Sequence, residues 1–256
     1  MYQQLRRVQV TWRVLPNERI SWEEIAQKMA AQRSICTIVN MKKHAKKLFD
    51  ALKLVCETES VFYITTELCP AHRRVVIEQV KKRLRDGLPC RVVATQCIEA
   101  GVDLDFDSVF RALAPLESII QAAGRCNRNG RHPEGGQVLV FLPDEERLYP
   151  DTWYEKAATL VSALHIEKPI DLMNPSDIQR YYQKLFWKLK GKKELSEAIQ
   201  MQDYAGAEKN YRIIKNDGVQ VLVPYEPENK LFEKLKDGGT LGQSVPKSEE
   251  EKKEEN

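Results

Sequence analysis

Three arginines occur within seven residues in the segment Gln121–Arg131, which reads Gln-Ala-Ala-Gly-Arg-Cys-Asn-Arg-Asn-Gly-Arg. Guanidinium groups bind phosphate oxygens through paired N–H donors. Arginines placed in this way stabilise the charge that develops on a transferred γ-phosphoryl group. The small residues Ala122, Ala123 and Gly124 precede the first arginine and allow another molecule or domain to approach closely. A lone Arg-x-x-Arg is also typical of a solvated basic loop, so the segment alone leaves both interpretations open.

A second segment, Thr95–Asp103, places a hydroxyl, two carboxylates and a glycine within nine residues directly after an apolar run. In an open α/β sheet, ligands bind beyond the carboxyl ends of the strands, which is where such a segment would lie. Gly101 can adopt backbone angles that other residues avoid, or allow a ligand to approach closely. An ordinary strand-to-helix connection with polar caps would have a similar composition, so this segment is also ambiguous by itself.

Strands and helices alternate over roughly the first 143 residues. Ser21 predicts a helix N-cap, and Glu24 completes a capping box. This alternation predicts a doubly wound α/β domain with a parallel sheet covered on both faces, ending near Pro143. The predicted strands are Arg7–Val14, Ser34–Asn40, Val61–Thr65, Cys90–Ala94, Ser108–Leu113 and Gln137–Leu142. The predicted helices are Trp22–Ala31, Met41–Val55, Pro70–Asp86 and Leu116–Ala123.

The pattern changes after Asp144. Two helices, Thr152–His165 and Ser176–Leu189, are predicted with no strand between them, and a hairpin is predicted over 211–223 around an Asp-Gly turn. The last eleven residues carry three lysines and five glutamates with almost nothing to bury, so we expect them to be disordered. We therefore predict a sheet domain over 1–144, an accessory domain over 145–225 and a flexible charged tail over 226–256.

Composition and charge exclude few classes of function. The 256 residues include 40 Lys+Arg and 37 Asp+Glu, and a net charge of +3 is too small to indicate a nucleic-acid partner. Two basic stretches, 41–53 and 71–91, fit a groove for a DNA backbone, although charged helices often just present a solvated face. The six cysteines are irregularly spaced, which predicts reduced thiols in the cytoplasm and no metal site. Neither a membrane span nor a signal peptide is predicted.

Read together, the two polar segments resemble motifs V and VI of superfamily 2 helicases. The pattern Thr-x-x-x-Glu-Ala-Gly-x-Asp is followed about twenty residues later by Gln-x-x-Gly-Arg-x-x-Arg, and Ser34–Asn40 is similar to motif IV. Three segments resemble one family within this superfamily, the CRISPR-associated helicase–nuclease of type I systems. They are Leu68–Arg73, Glu99–Phe106 and Arg111–Arg128. The stretch from Tyr211 to Tyr225 is similar to the C-terminal region of that family.

This resemblance implies an α/β fold, a RecA-like doubly wound parallel sheet with a mostly helical C-terminal appendage. It also implies roles for twelve residues. Those that line the nucleotide site are Gly101, Asp103 and Gly124. Those that face the γ-phosphate are Gln121, Arg125 and Arg128, with Arg128 as the arginine finger. Those that contact the backbone of single-stranded DNA are Thr95 and Gln96, and with them Thr65, Thr66, His72 and Arg73.

Three features of the family are missing from the sequence. No Gly-x-x-x-x-Gly-Lys-Ser/Thr loop occurs, and no His-Asp dipeptide indicates the family's metal-dependent nuclease domain. Asp144-Glu145 imitates a DExx box but follows motif VI, and we interpret it as a strand-exit turn. We therefore expect the C-terminal half of an ATP-dependent, 3′-to-5′-type translocase of single-stranded DNA in CRISPR interference and antiviral defence. It would be inactive alone.

The resemblance implies that a first RecA-like lobe, in the same or a separate chain, supplies most contacts to ATP and Mg²⁺. A nuclease domain and an RNA-guided surveillance complex are the further expected partners. Two alternatives stay open at this point. One is the second lobe of another superfamily 2 enzyme, such as an RNA helicase. The other is a non-catalytic module that binds DNA or a partner protein through its basic helices.

Overall fold

The chain folds into a six-stranded sheet in which every pairing is parallel. The strands are β1 (Val8–Arg13), β2 (Ser34–Ile38), β3 (Val61–Ile64), β4 (Cys90–Ala94), β5 (Ser108–Ala112) and β6 (Gly136–Phe141). Their order across the sheet is β1-β6-β5-β2-β4-β3, so β1 and β3 are the two outermost strands. Each predicted strand is present, with ends that differ from the prediction by at most two residues.

Six helices accompany the sheet in this computed structural model, which describes residues 7–99, 101–188 and 200–205. They are α1 (Trp22–Ala30), α2 (Lys42–Lys53), α3 (Pro70–Arg85), α4 (Leu116–Ala123), α5 (Thr152–Glu167) and α6 (Pro175–Lys188). Short 3-10 turns cover Pro16–Glu18, Thr58–Ser60 and Gln96–Ile98. The predicted hairpin over 211–223 and the predicted tail lie outside the described residues, and the boundary predicted at 144 stays a prediction.

Helices cover both faces of the sheet because successive side chains of each buried strand point to opposite sides. On β4, Val92 and Ala94 pack into the core on one face, whereas Val93 packs into the core on the other. The second face is covered by α1 and α2, and the first by α3, α4, α5 and α6. The predicted doubly wound α/β fold is confirmed.

The helix ends follow the residues that predict them. Ser21 Oγ accepts a hydrogen bond from the Glu24 backbone N–H at 3.1 Å and caps α1. The carboxylate of Glu24 contacts Arg13 Nη1 at 3.4 Å, so the side-chain half of the predicted capping box is replaced by an ion pair. Gly87 follows α3 with a φ of +63°, a conformation that favours glycine and stops the helix.

The two later helices pack onto the α4 side of the sheet. Ala157, Leu160 and Val161 of α5 are buried in the same core as α4. The Tyr181 hydroxyl of α6 donates to Glu117 Oε2 of α4 at 3.3 Å. All six cysteines are free thiols, and Cys36 and Cys90 are buried in the core as predicted. No helix in the described ranges is long and apolar enough to cross a bilayer.

The turn after β6 holds a buried histidine against α1 and α2. Glu145 Oε1 accepts from Trp22 Nε1 at 2.7 Å and from Lys47 Nζ at 2.6 Å. Its other oxygen lies 3.9 Å from His44 Nε2, and the His44 ring packs against Trp22. Asp144-Glu145 is therefore a strand-exit turn, as predicted. Burial lowers the pKa of His44 to about 4, with Glu145 acting in the opposite direction.

Acidification is expected to destabilise the chain through His44. Its pKa falls from 6.5 in the unfolded chain to about 4 in the folded one. The stability of the folded chain that depends on a neutral His44 is therefore present above pH 6.5 and is lost as the pH falls toward 4. Between pH 7 and pH 5 the free energy of unfolding should drop by about 2 kcal/mol from this group. Urea unfolding at both pH values measures the drop. The drop should shrink in His44→Phe and persist in His132→Phe, whereas an unchanged drop in His44→Phe contradicts the assignment.

Candidate functional site

The carboxyl ends of the parallel strands lie at one edge of the sheet, and half of the candidate residues follow β3 and β4 there. Thr65 and Thr66 come directly after β3, and Thr95 and Gln96 come directly after β4. His72 and Arg73 lie in the first turn of α3, which begins six residues after β3 ends. The six residues predicted to contact DNA therefore share one edge, which is the arrangement that a common ligand requires.

These six residues differ in how accessible their side chains are. Thr66 is exposed, whereas His72 and Arg73 are half-buried. Thr65 is fully buried, and its hydroxyl accepts from the Glu67 backbone N–H at 3.2 Å. Thr95 is 5% exposed, and the Gln96 side-chain amide donates to the Asn40 carbonyl oxygen at 3.2 Å. Their contact with DNA stays a prediction, and Thr65 and Thr95 are the two whose side chains are buried.

A buried ionic network lies beneath this edge. Arg111 of β5 is fully buried, and its Nη2 lies 2.9 Å from Glu99 Oε1. Its guanidinium also donates to Asn40 Oδ1 at 2.7 Å and to the Tyr154 hydroxyl at 2.8 Å. Burial raises the pKa of Glu99, and the Arg111 charge lowers it. The network joins the end of motif IV, the turn of motif V and helix α5.

None of the four residues of this network was a candidate in the sequence. A signal for one of them was present, however. Arg111 occupies an inward-facing position in Ser108–Leu113, which is otherwise an apolar strand. A charged side chain is almost never fully buried unless it is paired, so an arginine at that position requires a buried acceptor. Glu99 and Asp103, the two carboxylates of the preceding segment, were available partners, and the structure pairs Arg111 with Glu99.

The segment after β4 crosses the sheet to its opposite edge. After the 3-10 turn Gln96–Ile98, the described residues up to β5 contain no α-helix. The interpretation of this segment as an ordinary strand-to-helix connection is therefore wrong. Phe106 forms a parallel bridge with Cys126, and the Asp107 carbonyl oxygen accepts from the Gln137 N–H at 3.1 Å. These contacts lie where β5 and β6 begin. Motif VI therefore ends at the amino edge of the sheet, opposite the DNA candidates.

The nucleotide and γ-phosphate candidates line this crossing segment and the end of α4. Arg125 Nη2 donates to the Glu99 carbonyl oxygen at 2.6 Å, and Arg128 Nε lies 3.4 Å from Asp103 Oδ1. Gly101 is exposed, and its φ of +74° explains why this position favours glycine. Gln121 and Gly124 are exposed at the end of α4. Motifs V and VI are thus in direct contact, while the roles of these six residues stay predictions.

The electrostatics of this surface favour an anion. Partial burial lowers the pKa of Arg125, and the positive charge of Arg128 lowers it further. Asp103 and Glu99 act on this pKa in the opposite direction, so the repulsion between the two guanidinium groups is partly compensated. The carboxylate paired with Arg128 belongs to Asp103, which is 82% exposed and so a weak counterion. A multiply charged anion between the two arginines would relieve their repulsion and accept their N–H donors.

Mg²⁺ is not assigned to residues of this chain. Over residues 7–99, 101–188 and 200–205, no group of three or more His, Cys, Asp or Glu side chains is arranged to hold a metal ion. Mg²⁺ prefers carboxylates together with substrate phosphates. The carboxylates along the crossing segment are each engaged with an arginine, a histidine or backbone N–H groups.

Comparison with known proteins finds relatives of part of this chain. Residues 31–131 match the family model of the C-terminal part of the CRISPR-associated nuclease/helicase Cas3. The CRISPR-associated nuclease/helicase Cas3 of Haloferax volcanii is 51% identical over 83 residues, which are 30% of this chain and 9% of that protein. The chain thus spans less than a tenth of that curated relative. A structure of T. fusca Cas3 with ATP superposes with a TM-score of 0.55 at 18% identity, covering 80% of this chain and 26% of that one.

A CRISPR RNA-guided surveillance complex in its pre-nicking state contains a chain of the same fold. It superposes with a TM-score of 0.53 at 18% identity and covers 79% of this chain and 28% of that one. The family match spans the segments that resemble motifs IV, V and VI in the sequence. Residues 31–131 are therefore similar to the C-terminal part of Cas3, within a chain whose α/β fold superposes on solved Cas3 structures.

Proposed function

We propose that this chain is the second motor lobe of an ATP-dependent translocase of single-stranded DNA that acts in CRISPR interference. It supplies an arginine finger, Arg128, with Arg125 as its partner, and a carboxyl edge that holds the DNA backbone. The observation that carries this proposal is the contact between motifs V and VI, in which Arg125 binds the Glu99 carbonyl and Arg128 pairs with Asp103. Two arginines held against one segment beside the exposed Gly101 can bind the oxygens of a polyphosphate through paired N–H donors.

The mechanism follows from the two-lobed architecture. A first RecA-like lobe provides the phosphate-binding loop, and its approach brings the γ-phosphate to Arg125 and Arg128. Closure of the lobes exchanges the pairing of Arg128 with Asp103 for pairing with phosphate oxygens, and the guanidinium then stabilises charge in the transition state. Because the arginines act only in the closed state, hydrolysis is coupled to the hinge motion between the lobes.

The DNA site lies at the opposite edge of the sheet and is coupled to the nucleotide site by the crossing segment. This segment begins at Thr95 beside the DNA candidates and reaches Asp103 beside Arg128. A shift of the segment on closure would therefore change the hold on the DNA backbone in each cycle. Thr66, His72 and Arg73 contact phosphates without reading the base sequence. The exposed Arg74, which follows Arg73 near the start of α3, extends this surface.

Reconstitution with a first lobe tests this proposal. The purified chain alone should not hydrolyse ATP, because it supplies no phosphate-binding loop. Addition of a first RecA-like lobe from a Cas3 relative should give ATP hydrolysis that single-stranded DNA stimulates. Release of inorganic phosphate measures both. Hydrolysis by the chain alone that Arg128→Ala abolishes contradicts the proposal, and so does failure of several first lobes to give any turnover.

The same assembly separates the two alternatives. An RNA helicase would be stimulated by single-stranded RNA more than by DNA of the same sequence. A non-catalytic module would bind DNA with the same affinity with or without ATP, and Arg125→Ala would not alter that affinity. Under the proposal, DNA stimulates turnover more than RNA does. An ATP analogue changes the affinity for DNA when the first lobe is present. Addition of an RNA-guided surveillance complex then tests recruitment as a further, separate step.

A further inference from the structure

Asp105 holds the backbone of the loop that carries Arg128. Its Oδ1 accepts from the Arg128 backbone N–H at 2.7 Å, and its Oδ2 accepts from the Asn129 backbone N–H at 3.2 Å. Oδ2 also accepts from Asn129 Nδ2 at 2.9 Å. The Asp105 side chain is only 11% exposed. One carboxylate therefore binds two consecutive peptide groups, the first of which belongs to Arg128.

The residues that precede Arg128 are fixed by independent contacts. The Phe106 N–H donates to the Arg125 carbonyl oxygen at 2.9 Å, and the Asn127 N–H donates to the Phe106 carbonyl oxygen at 2.8 Å. The Asn127 backbone has a φ of +46°, and its side chain donates to the His132 carbonyl oxygen at 2.9 Å. The loop turns sharply at Asn127, and the Asp105 carboxylate accepts hydrogen bonds from the next two backbone N–H groups after that turn.

From this geometry we infer that Asp105 is a positioning residue for Arg128. It does not touch the nucleotide. It fixes the peptide from which the guanidinium extends, and so sets where that group can reach when the lobes close. The inference rests on the proposed function, in which Arg128 is the arginine finger. Because a reacting group displaced by about 1 Å can lose about 10²-fold in rate, a fixed backbone here has a measurable consequence.

The variant Asp105→Asn tests the inference with little change in volume. The amide keeps one acceptor oxygen but turns an N–H₂ group toward a backbone N–H, so one of the two peptide contacts is lost. In the assembly with a first lobe, kcat for ATP hydrolysis should fall by about 10²-fold, while KM for ATP should stay within about twofold. Asp107→Asn is the matched control, because Asp107 lies in the same segment and pairs with His132 at 2.7 Å rather than with the Arg128 peptide.

A double variant distinguishes positioning from general damage. Arg128→Ala/Asp105→Asn should have the kcat of Arg128→Ala alone, because a residue that acts through Arg128 has nothing left to position. Independent losses that multiply in the double variant overturn the inference. Limited trypsin digestion of the chain gives a second readout, since Asp105→Asn should speed cleavage after Arg128 while Asp107→Asn should not. Equal cleavage rates in the two variants also overturn it.

The outcomes separate this inference from the proposed function. If Arg128→Ala leaves turnover intact, the proposed function fails. If Arg128→Ala abolishes turnover and Asp105→Asn does not reduce it, only the inference fails. Should Asp105→Asn lower the melting temperature by more than about 4 °C, Asp105→Glu serves as the second variant. It retains the charge but moves the carboxylate out of register, so the inference expects the same selective loss of kcat and is overturned by wild-type turnover.

Discussion

Replacement of Arg111 by alanine is expected to destabilise the folded chain by about 3–5 kcal/mol, because it leaves a buried carboxylate without its counterion. Arg111 is fully buried, and Glu99 is 6% exposed and only 2.9 Å away. The substitution also removes the donors to Asn40 Oδ1 and the Tyr154 hydroxyl. Since a domain has a total stability of about 5–15 kcal/mol, the melting temperature should fall by about 10 °C or more. Urea unfolding monitored by circular dichroism measures the loss.

Two controls separate the buried pair from ion pairs in general. Arg13→Ala removes an exposed pair with Glu24 at 3.4 Å and should cost at most about 1 kcal/mol. Arg111→Met combined with Glu99→Leu removes both charges and should recover much of the loss, because the uncompensated carboxylate is gone. If the double variant is as unstable as Arg111→Ala alone, packing rather than charge explains the effect, and the prediction is wrong.

The pH dependence of Arg111→Ala provides a further check on this explanation. Burial raises the pKa of Glu99, and Arg111 lowers it. Without Arg111, the pKa in the folded state moves further above its value in the unfolded chain. A carboxyl group with a raised folded-state pKa destabilises the fold as the pH rises through that range. The variant should therefore be closer in stability to the wild type at pH 5 than at pH 8, and the opposite trend contradicts a buried Glu99 carboxylate.

The fold was predictable because its signals are local. Strands of a parallel sheet are buried on both faces, so they read as short apolar runs, and Cys90–Ala94 is found with the predicted ends. Pro70 and Gly87 bound α3 through backbone constraints that act on a few residues. The order of strands across the sheet is set by packing between distant segments. No periodicity in the sequence shows that β1 pairs with β6 as an outermost strand of the sheet.

The sequence names candidate site residues, whose roles stay predictions, but it does not show their layout. The motif resemblance pointed to Arg125, Arg128 and Asp103, and the structure brings the two motifs into contact. It did not show that the segment from Thr95 crosses the sheet, so that the two groups of candidates lie at opposite edges. It also missed Asp105, whose role depends on backbone N–H groups of a loop 23 residues later. Almost every residue carries a backbone N–H, so the residue types do not show which of these donors Asp105 binds. Only the folded structure shows this contact.

Arg128→Ala is expected to lower kcat for ATP hydrolysis by about 10³-fold or more in the assembly with a first lobe, as removal of an arginine finger does. Arg128 is 45% exposed and is paired with the highly exposed Asp103, so breaking that pair on closure costs little. KM for ATP should change much less than kcat, because the contact strengthens in the transition state. Steady-state phosphate release at saturating single-stranded DNA measures both constants.

Arg131 supplies the matched control for the arginine finger. It lies in the same loop and is 59% exposed, but it pairs with Asp105 at 3.8 Å rather than with Asp103. Arg131→Ala should therefore retain kcat within a few fold. Arg128→Lys should recover only part of the loss, because a lysine keeps the charge but not the planar pair of donors. Equal losses in Arg128→Ala and Arg131→Ala would point to the net charge of the loop. In that case the positively charged loop acts by attracting the nucleotide, which a large rise in KM with increasing salt would reveal.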